Sequence, residues 1–262
     1  MPAEPCRAIV LAAGRGSRLG ALTATRPKCL VELAGRSLLD WQTAALHAAG
    51  ITRLGIVRGY RAHDIARPAL QPFDNQRWQH GNMVASLLCA RSWLRAAPCL
   101  VVYGDVVFHP QAARALRAAD ADVALTYDRA WRALWSARFA RPEDDCESFR
   151  SEGGRLVEIG RRVTDLDAVQ GQFMGLVRFT PAGWRAAEDV IALGDASTLQ
   201  TTELLQRLVE HGVAVATLPV RGRWCEVDDA RDLALYDHAL RSPGWTHDWR
   251  QGWSDELDGG SS

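Results

Sequence analysis

The residue types best suited to chemistry cluster early in the chain. Leu11-Ala-Ala-Gly-Arg-Gly-Ser-Arg-Leu19 is a glycine-rich stretch that follows the apolar run Arg7-Ala-Ile-Val-Leu-Ala12, and Arg26-Pro-Lys28 comes soon after. A glycine loop directly behind a first strand lets backbone N–H groups come close to phosphate oxygens. Two familiar phosphate loops do not fit it. A P-loop ends in Gly-Lys-Ser/Thr, and here Gly20 is followed by Ala21. A dinucleotide loop reads G-x-G-x-x-G, whereas Gly14, Gly16 and Gly20 are spaced G-x-G-x-x-x-G, and Arg58 stands where the second strand would close on an acid. What remains is a phosphate-type loop beside Arg15, Arg18, Arg26 and Lys28. Of the 31 basic residues Lys28 is the one lysine. A general drift toward arginine explains the others and leaves this one unexplained.

Three further groups carry chemistry. Asp105 follows the apolar run Cys99-Leu-Val-Val-Tyr103, at the edge where parallel sheets place their ligands, although a turn acid reads the same way. Glu226 and Asp228 alternate in Trp224-Cys-Glu-Val-Asp228, so that on a strand both carboxylates face one side, toward a site or toward solvent. Trp131 and Trp135 share a helical face and are followed by Asp144, Asp145 and Glu147, with Phe173 further on. Aromatic faces and carboxylates suit an ammonium group, and packing beneath a lid is the plainer alternative. The six cysteines and seven histidines do not cluster at metal-ligand spacing.

These residues need a scaffold, and the chain supplies one. It has 262 residues, 47% hydrophobic and 24% charged, enough to bury a sizeable core. Thirty-one basic against 31 acidic residues argue against a chain-wide nucleic-acid surface, so no nucleic-acid partner is expected. No apolar run reaches membrane-spanning length, and Met1-Pro-Ala-Glu4 does not lead into a secretory leader, so a cytoplasmic location is expected. Short apolar runs near 7–12, 54–57, 99–103 and 123–127 alternate with helical stretches at 38–49, 84–94 and 111–119. That alternation predicts an α/β fold, a doubly wound and mostly parallel sheet of Rossmann-like type. Residues 128–179 break the pattern as a small inserted lid with a hairpin turned at Gly153-Gly154. Residues 1–241 form the main domain and 242–262 a tail. Trp245, Trp249 and Trp253 at four-residue spacing predict one helical face there, docked on its own core or forming a homodimer contact. Gly259-Gly-Ser-Ser262 is expected to carry no order.

The motif Leu11-Ala-Ala-Gly-x-Gly-x-Arg-Leu19, with Arg26-Pro-Lys28-x-Leu30 and Gly35-x-x-Leu-Leu39, resembles the signature of nucleotidyltransferases that join an NTP to a phosphorylated small molecule. Asn82-Met-Val-Ala-Ser86, Tyr103-Gly-Asp105, Asp145-Cys-Glu147 and Trp224-Cys-Glu226-Val-Asp228 are similar to the branch that contains phosphocholine and 2-aminoethylphosphonate cytidylyltransferases. The resemblance implies CTP as donor, a phosphorylated or phosphonate amine as acceptor, and pyrophosphate as leaving group. It puts Leu11, Ala13, Gly14, Arg15 and Gly16 around the nucleotide, with Asn82 and Ser86 at the base, where Asn82 could equally be a helix cap. It implies that Arg18 and Lys28 are the catalytic cations and that Asp105, Glu226 and Asp228, the last the strongest choice, are Mg²⁺ ligands. Trp131, Trp135, Asp145, Glu147 and Phe173 are expected to face the acceptor. A sugar-1-phosphate nucleotidyltransferase using UTP or dTTP is the rival enzyme, and a non-catalytic nucleotide-sensing subunit the rival of another class.

Overall fold

The first apolar run becomes β1 (Arg7–Ala12), with Ala8, Ile9 and Val10 fully buried. The computed structural model describes residues 5–253, so the expectations for residues 1–4 and 259–262 lie outside the described residues. A small antiparallel pair, β2 (Glu32–Leu33) and β3 (Arg36–Ser37), leads into α1 (Leu38–Ala48), where the Ser37 hydroxyl accepts a hydrogen bond from the Asp40 amide as an N-cap. Then come β4 (Arg53–Arg58), β5 (Leu70–Asp74), α2 (Met83–Leu88), α3 (Arg91–Ala96), β6 (Cys99–Tyr103), β7 (Val106–Phe108) and α4 (Pro110–Ala118). The second half holds β8 (Val123–Asp128), α5 (Trp131–Arg138), β9 (Glu147–Glu152), β10 (Arg155–Arg162) and β11 (Gln172–Phe179). It closes with α6 (Pro181–Ile191), α7 (Thr201–Glu210), β12 (Val215–Val220), β13 (Trp224–Glu226) and α8 (Ala230–Ala239).

Nine strands form one sheet in the order β5-β4-β1-β6-β11-β8-β12-β10-β9. From the pairings, β10 and β11 run against the other seven, so the sheet is mostly parallel in direction. Helices α1 and α4 pack together, as do α3, α6 and α7, and both groups lie on the sheet. The inserted lid is stitched into this sheet. Its hairpin turns at Gly153-Gly154, β10 meets β12, and β11 lies between β6 and β8.

Two local expectations differ, and β5 is a strand that was not expected. The single helix at 84–94 is two, α2 and α3, broken around Cys89-Ala90. The edge strand β5 contains Pro72, which an edge tolerates because one side of its backbone needs no ladder partner. The tryptophan tail forms turns and no helix among the described residues. Its rings are still held: Trp249 and Trp253 are buried with centroids 5.6 and 5.9 Å from Trp41. His247 Nε2 lies 2.8 Å from Asp128 Oδ2, both fully buried, so the tail packs on its own core.

Candidate active site

The strand order reverses between β4-β1 on one side and β6 on the other, and the loops leaving β1 and β6 flank the crevice that results. Gly16 is central to the first loop. Its φ of +69° is unfavourable for residues with a side chain, and a Cβ there would sit 2.8 Å from Cβ and Cδ of Lys28. The bare glycine therefore lets the lysine stem lie along the loop. Lys28 Nζ then reaches Asp105 Oδ2 at 2.8 Å and Asp228 Oδ1 at 3.2 Å.

Asp105 is fixed by its backbone. Gln42, buried on α1, donates Nε2 to the carbonyls of Tyr103 and Val106 at 2.8 and 2.7 Å. The Asp105 carbonyl accepts from the Val227 amide at 2.9 Å, which draws the end of β13 alongside. Asp228 lies beyond the strand, yet oxygens of Asp105, Glu226 and Asp228 all come within 4.8 Å of one another. Asp105 Oδ1 is buried without a hydrogen-bond partner among the described residues. A hard divalent ion accepts this kind of all-carboxylate donor set, so the residues fit one.

A buried guanidinium completes the cluster. Arg138, at the end of α5, is 1% exposed; it donates to Glu226 Oε2 at 3.1 Å, to Asp228 Oδ2 at 3.0 Å and to both oxygens of Asp232 at 3.0 Å. Arg18, 68% exposed, reaches Asp228 Oδ1 at 3.0 Å. The electrostatics follow. Burial and the adjacent Asp228 hold the Glu226 carboxyl well above the usual carboxylate range. Against the cost of burial, Lys28, Arg18 and Arg138 hold Asp228 below it. Burial works against the Lys28 ammonium too, but Asp105 and Asp228 outweigh it and keep that group charged.

Two cavities meet here. One of about 310 Å³ is lined by Leu11, Ala13, Gly14, Gly16, Lys28, Asn82, Ser86 and Asp105 among others. Asn82 occupies the N-cap position of α2 but makes no side-chain cap; its amide donates to the Thr198 carbonyl at 2.6 Å. Ser86 Oγ accepts from Asn75 at 3.0 Å. Arg15 is not brought to this wall and lies 5.5 Å over the Tyr60 ring. The second cavity, about 300 Å³, is lined by Arg18, Tyr103, Trp135, Asp145, Glu147, Phe173, Glu226 and Asp228 among others. Burial raises the carboxyls of Asp145 and Glu147 above their usual range, and for Glu147 the neighbouring Asp145 adds to it. Met83 and Gln200 line both cavities.

The expected pair of tryptophans needs correction. Trp131 is 3% exposed, lines neither cavity and meets Trp135 edge-on at 6.1 Å. Residues four apart share a helical face, but along that face only Trp135 reaches the cavity wall. Trp78, Gln200, Gln42 and Arg138 were not found from the sequence. Arg138 alone left a signal there, since it follows Trp131 and Trp135 at i+7 on one helical stripe.

Comparison with known proteins gives the family and the fold. Residues 8–158 match the family of MobA-like NTP transferase domains. A CTP:phosphoglutamine cytidylyltransferase of Campylobacter jejuni is 30% identical over 251 aligned positions, covering 87% of this chain and 98% of that protein. A 2-aminoethylphosphonate cytidylyltransferase of Lancefieldella rimae is 26% identical, covering 90% and 94%. The solved structure of the Streptococcus pneumoniae CTP:phosphocholine cytidylyltransferase shares the fold, with a TM-score of 0.68 at 19% identity over 90% of this chain and 99% of that one.

Proposed function

This chain belongs to the family of MobA-like NTP transferase domains and is a nucleotidyltransferase, and from that premise we propose that it transfers CMP from CTP to a phosphorylated or phosphonate amine. The observation that carries the proposal is the acceptor-side cavity, where Asp145 and Glu147 face the space beside Asp228 and Arg18. A sugar phosphate offers no cation for those carboxylates, whereas an ammonium group does. The wall is more polar than a two-tryptophan cage, because Trp131 is withdrawn and Ser148, Gln172 and Thr202 join it. That favours a primary ammonium, which donates hydrogen bonds, over a trimethylammonium, which cannot. The 2-aminoethylphosphonate and phosphoglutamine enzymes among the relatives fit the same preference.

The chemistry asks for charge control more than proton transfer. A phosphate or phosphonate oxygen attacks the α-phosphorus of CTP, the bond to the pyrophosphate oxygen breaks, and the nucleophile needs no general base. Gly14 and Gly16 present backbone to the triphosphate, and Lys28 turns from its carboxylates toward the reacting phosphoryl group, which a compact ammonium does better than a planar guanidinium. Arg18 receives the acceptor phosphoryl or the departing pyrophosphate from the other cavity. Asp105 and Asp228, with Glu226 beside them, would hold Mg²⁺, which when bound neutralises charge on the triphosphate. Asn82 and Ser86 meet the cytosine.

The test is pyrophosphate release with CTP, UTP and dTTP against 2-aminoethylphosphonate, phosphoglutamine, phosphocholine, glucose 1-phosphate and 2-hydroxyethylphosphonate. CTP with a primary amine is expected to give the highest kcat/KM. A sugar phosphate that outruns every amine, or equal rates for the amino and hydroxy phosphonates, overturns the proposal.

A further inference from the structure

We infer that Arg138 is a positioning residue that ties the acceptor cavity to the carboxylate cluster, so that the two halves of the site are held by one buried fork; this rests on the transfer reading above. Arg138 lines neither cavity, and its side chain, 1% exposed, cannot touch substrate. Its guanidinium joins three separate elements: α5, which it ends, the segment from Glu226 to Asp228, and the first turn of α8 through Asp232. The amino end of α8 and the carboxyl end of α5 meet there, so each helix end faces a side chain of favourable charge.

The division of labour on Asp228 is the telling detail. Oδ1 accepts from Lys28 and Arg18, the two cations at the cavity walls, while Oδ2 accepts from Arg138 alone among the described residues. One oxygen can exchange partners when phosphate or a metal arrives, and the other stays fixed. Glu226 is held the same way through Oε2. The fork also lies 5.6 Å over the ring of Trp135 and 4.9 Å over that of Phe139. Trp135 is the acceptor wall, one turn before Arg138 on the same helix, so a ligand that shifts the ring shifts the fork and the carboxylates with it. A lysine cannot reproduce this, since its three donors radiate from one nitrogen, whereas the planar guanidinium spreads its N–H groups over three nitrogens and reaches Glu226, Asp228 and Asp232 together.

Arg138→Lys keeps the charge and removes the fork, which separates geometry from electrostatics. With Mn²⁺ alone as probe, electron paramagnetic resonance should report affinity weakened about tenfold, and the acceptor KM should rise by about the same factor, as for outer-shell partners of a metal site. CTP affinity without metal should stay within about twofold, a selectivity that general loosening of the fold would not give. Mn²⁺ affinity and acceptor KM both within twofold of wild type, or an equal loss of CTP affinity, overturns the inference. Asp232→Asn is the companion, because it loosens the anchor and leaves Arg138 with its two contacts to the cluster. It should move both quantities in the same direction by about threefold, and unchanged values overturn the inference even where Arg138→Lys fails to fold. If the wild type turns over no amine with CTP, the functional proposal falls, while Mn²⁺ binding still decides the role of Arg138.

Discussion

The two cavities that share Met83 and Gln200 are of similar size and different construction. One cavity takes Leu11, Ala12, Ala13, Gly14 and Gly16 from the single stretch at the end of β1, with Lys28 laid against it and Asn82, Ser86 and Asp105 completing the wall. The acceptor-side cavity takes single side chains from α5, β9, β11, α7 and β13 and offers carboxylates and rings. Backbone amides recognise what every NTP shares, and a glycine loop can present them only in a narrow range of sequences. Side chains assembled from distant elements recognise what differs between acceptors, and many sequences can supply them. The first cavity should therefore fail all at once when disturbed, and the second by degrees.

Lys28 is where that contrast is sharpest. Lys28→Ala and Lys28→Arg are each expected to lower single-turnover rates by on the order of 10³ with little change in CTP affinity. An arginine variant within about threefold of wild type, roughly 0.6 kcal/mol of barrier, would assign the position to charge alone.

The loop itself comes next. In Gly16→Ala, the positive φ and the 2.8 Å approach of the Lys28 stem must be relieved together. A strain of about 2 kcal/mol corresponds to a loss of roughly 30-fold in kcat if it is taken up by displacing the lysine. A normal kcat with a lowered melting temperature would show that the loop yields and the lysine does not.

The acceptor side should respond selectively. Glu147→Gln is expected to raise the KM of a primary amine acceptor about tenfold and leave its hydroxyl analogue unchanged. The pH dependence has opposite signs for affinity and stability. Burial holds Glu147 and Asp145 above the ordinary carboxylate range, so both take up protons at higher pH than exposed acids. The protonated form is the one the fold favours. Their contribution to stability is thus fully present below the unfolded pKa and is lost as pH rises through the raised folded pKa. Attraction for an ammonium needs the ionised form and fades as pH falls through the same window. Profiles of amine kcat/KM and thermal stability that rise and fall together would remove these two acids from acceptor recognition.

The smallest expected effect is at Trp131. Trp131→Phe should cost about 1–2 kcal/mol of stability through lost packing and leave amine kcat/KM within about twofold. Trp135→Phe should change acceptor kinetics more than that. Equal kinetic effects would restore the two-ring cage that burial of Trp131 argues against.

What the sequence determined by itself is the glycine loop with its lysine and the sheet beneath it. Leu11 to Leu19, the lone Lys28 and Asp105 after β6 are local: a glycine permits a backbone shape, and an apolar run ends where its sheet ends. Such features are written within a few residues of where they act. Tertiary structure decided the second cavity, for which an acceptor role is proposed. Whether Trp131 or Trp135 faces the cavity depends on how far α5 is covered, which no helical period states. The tail's four-residue spacing suggested a helix, but burial of Trp249 and Trp253 against Trp41 is achieved by turns, because packing rewards the ring positions whatever backbone supplies them. Arg138 is the extreme case. Its partners Glu226, Asp228 and Asp232 lie 88 to 94 residues away, and the energy of a buried fork exists only once the chain has brought all of them together.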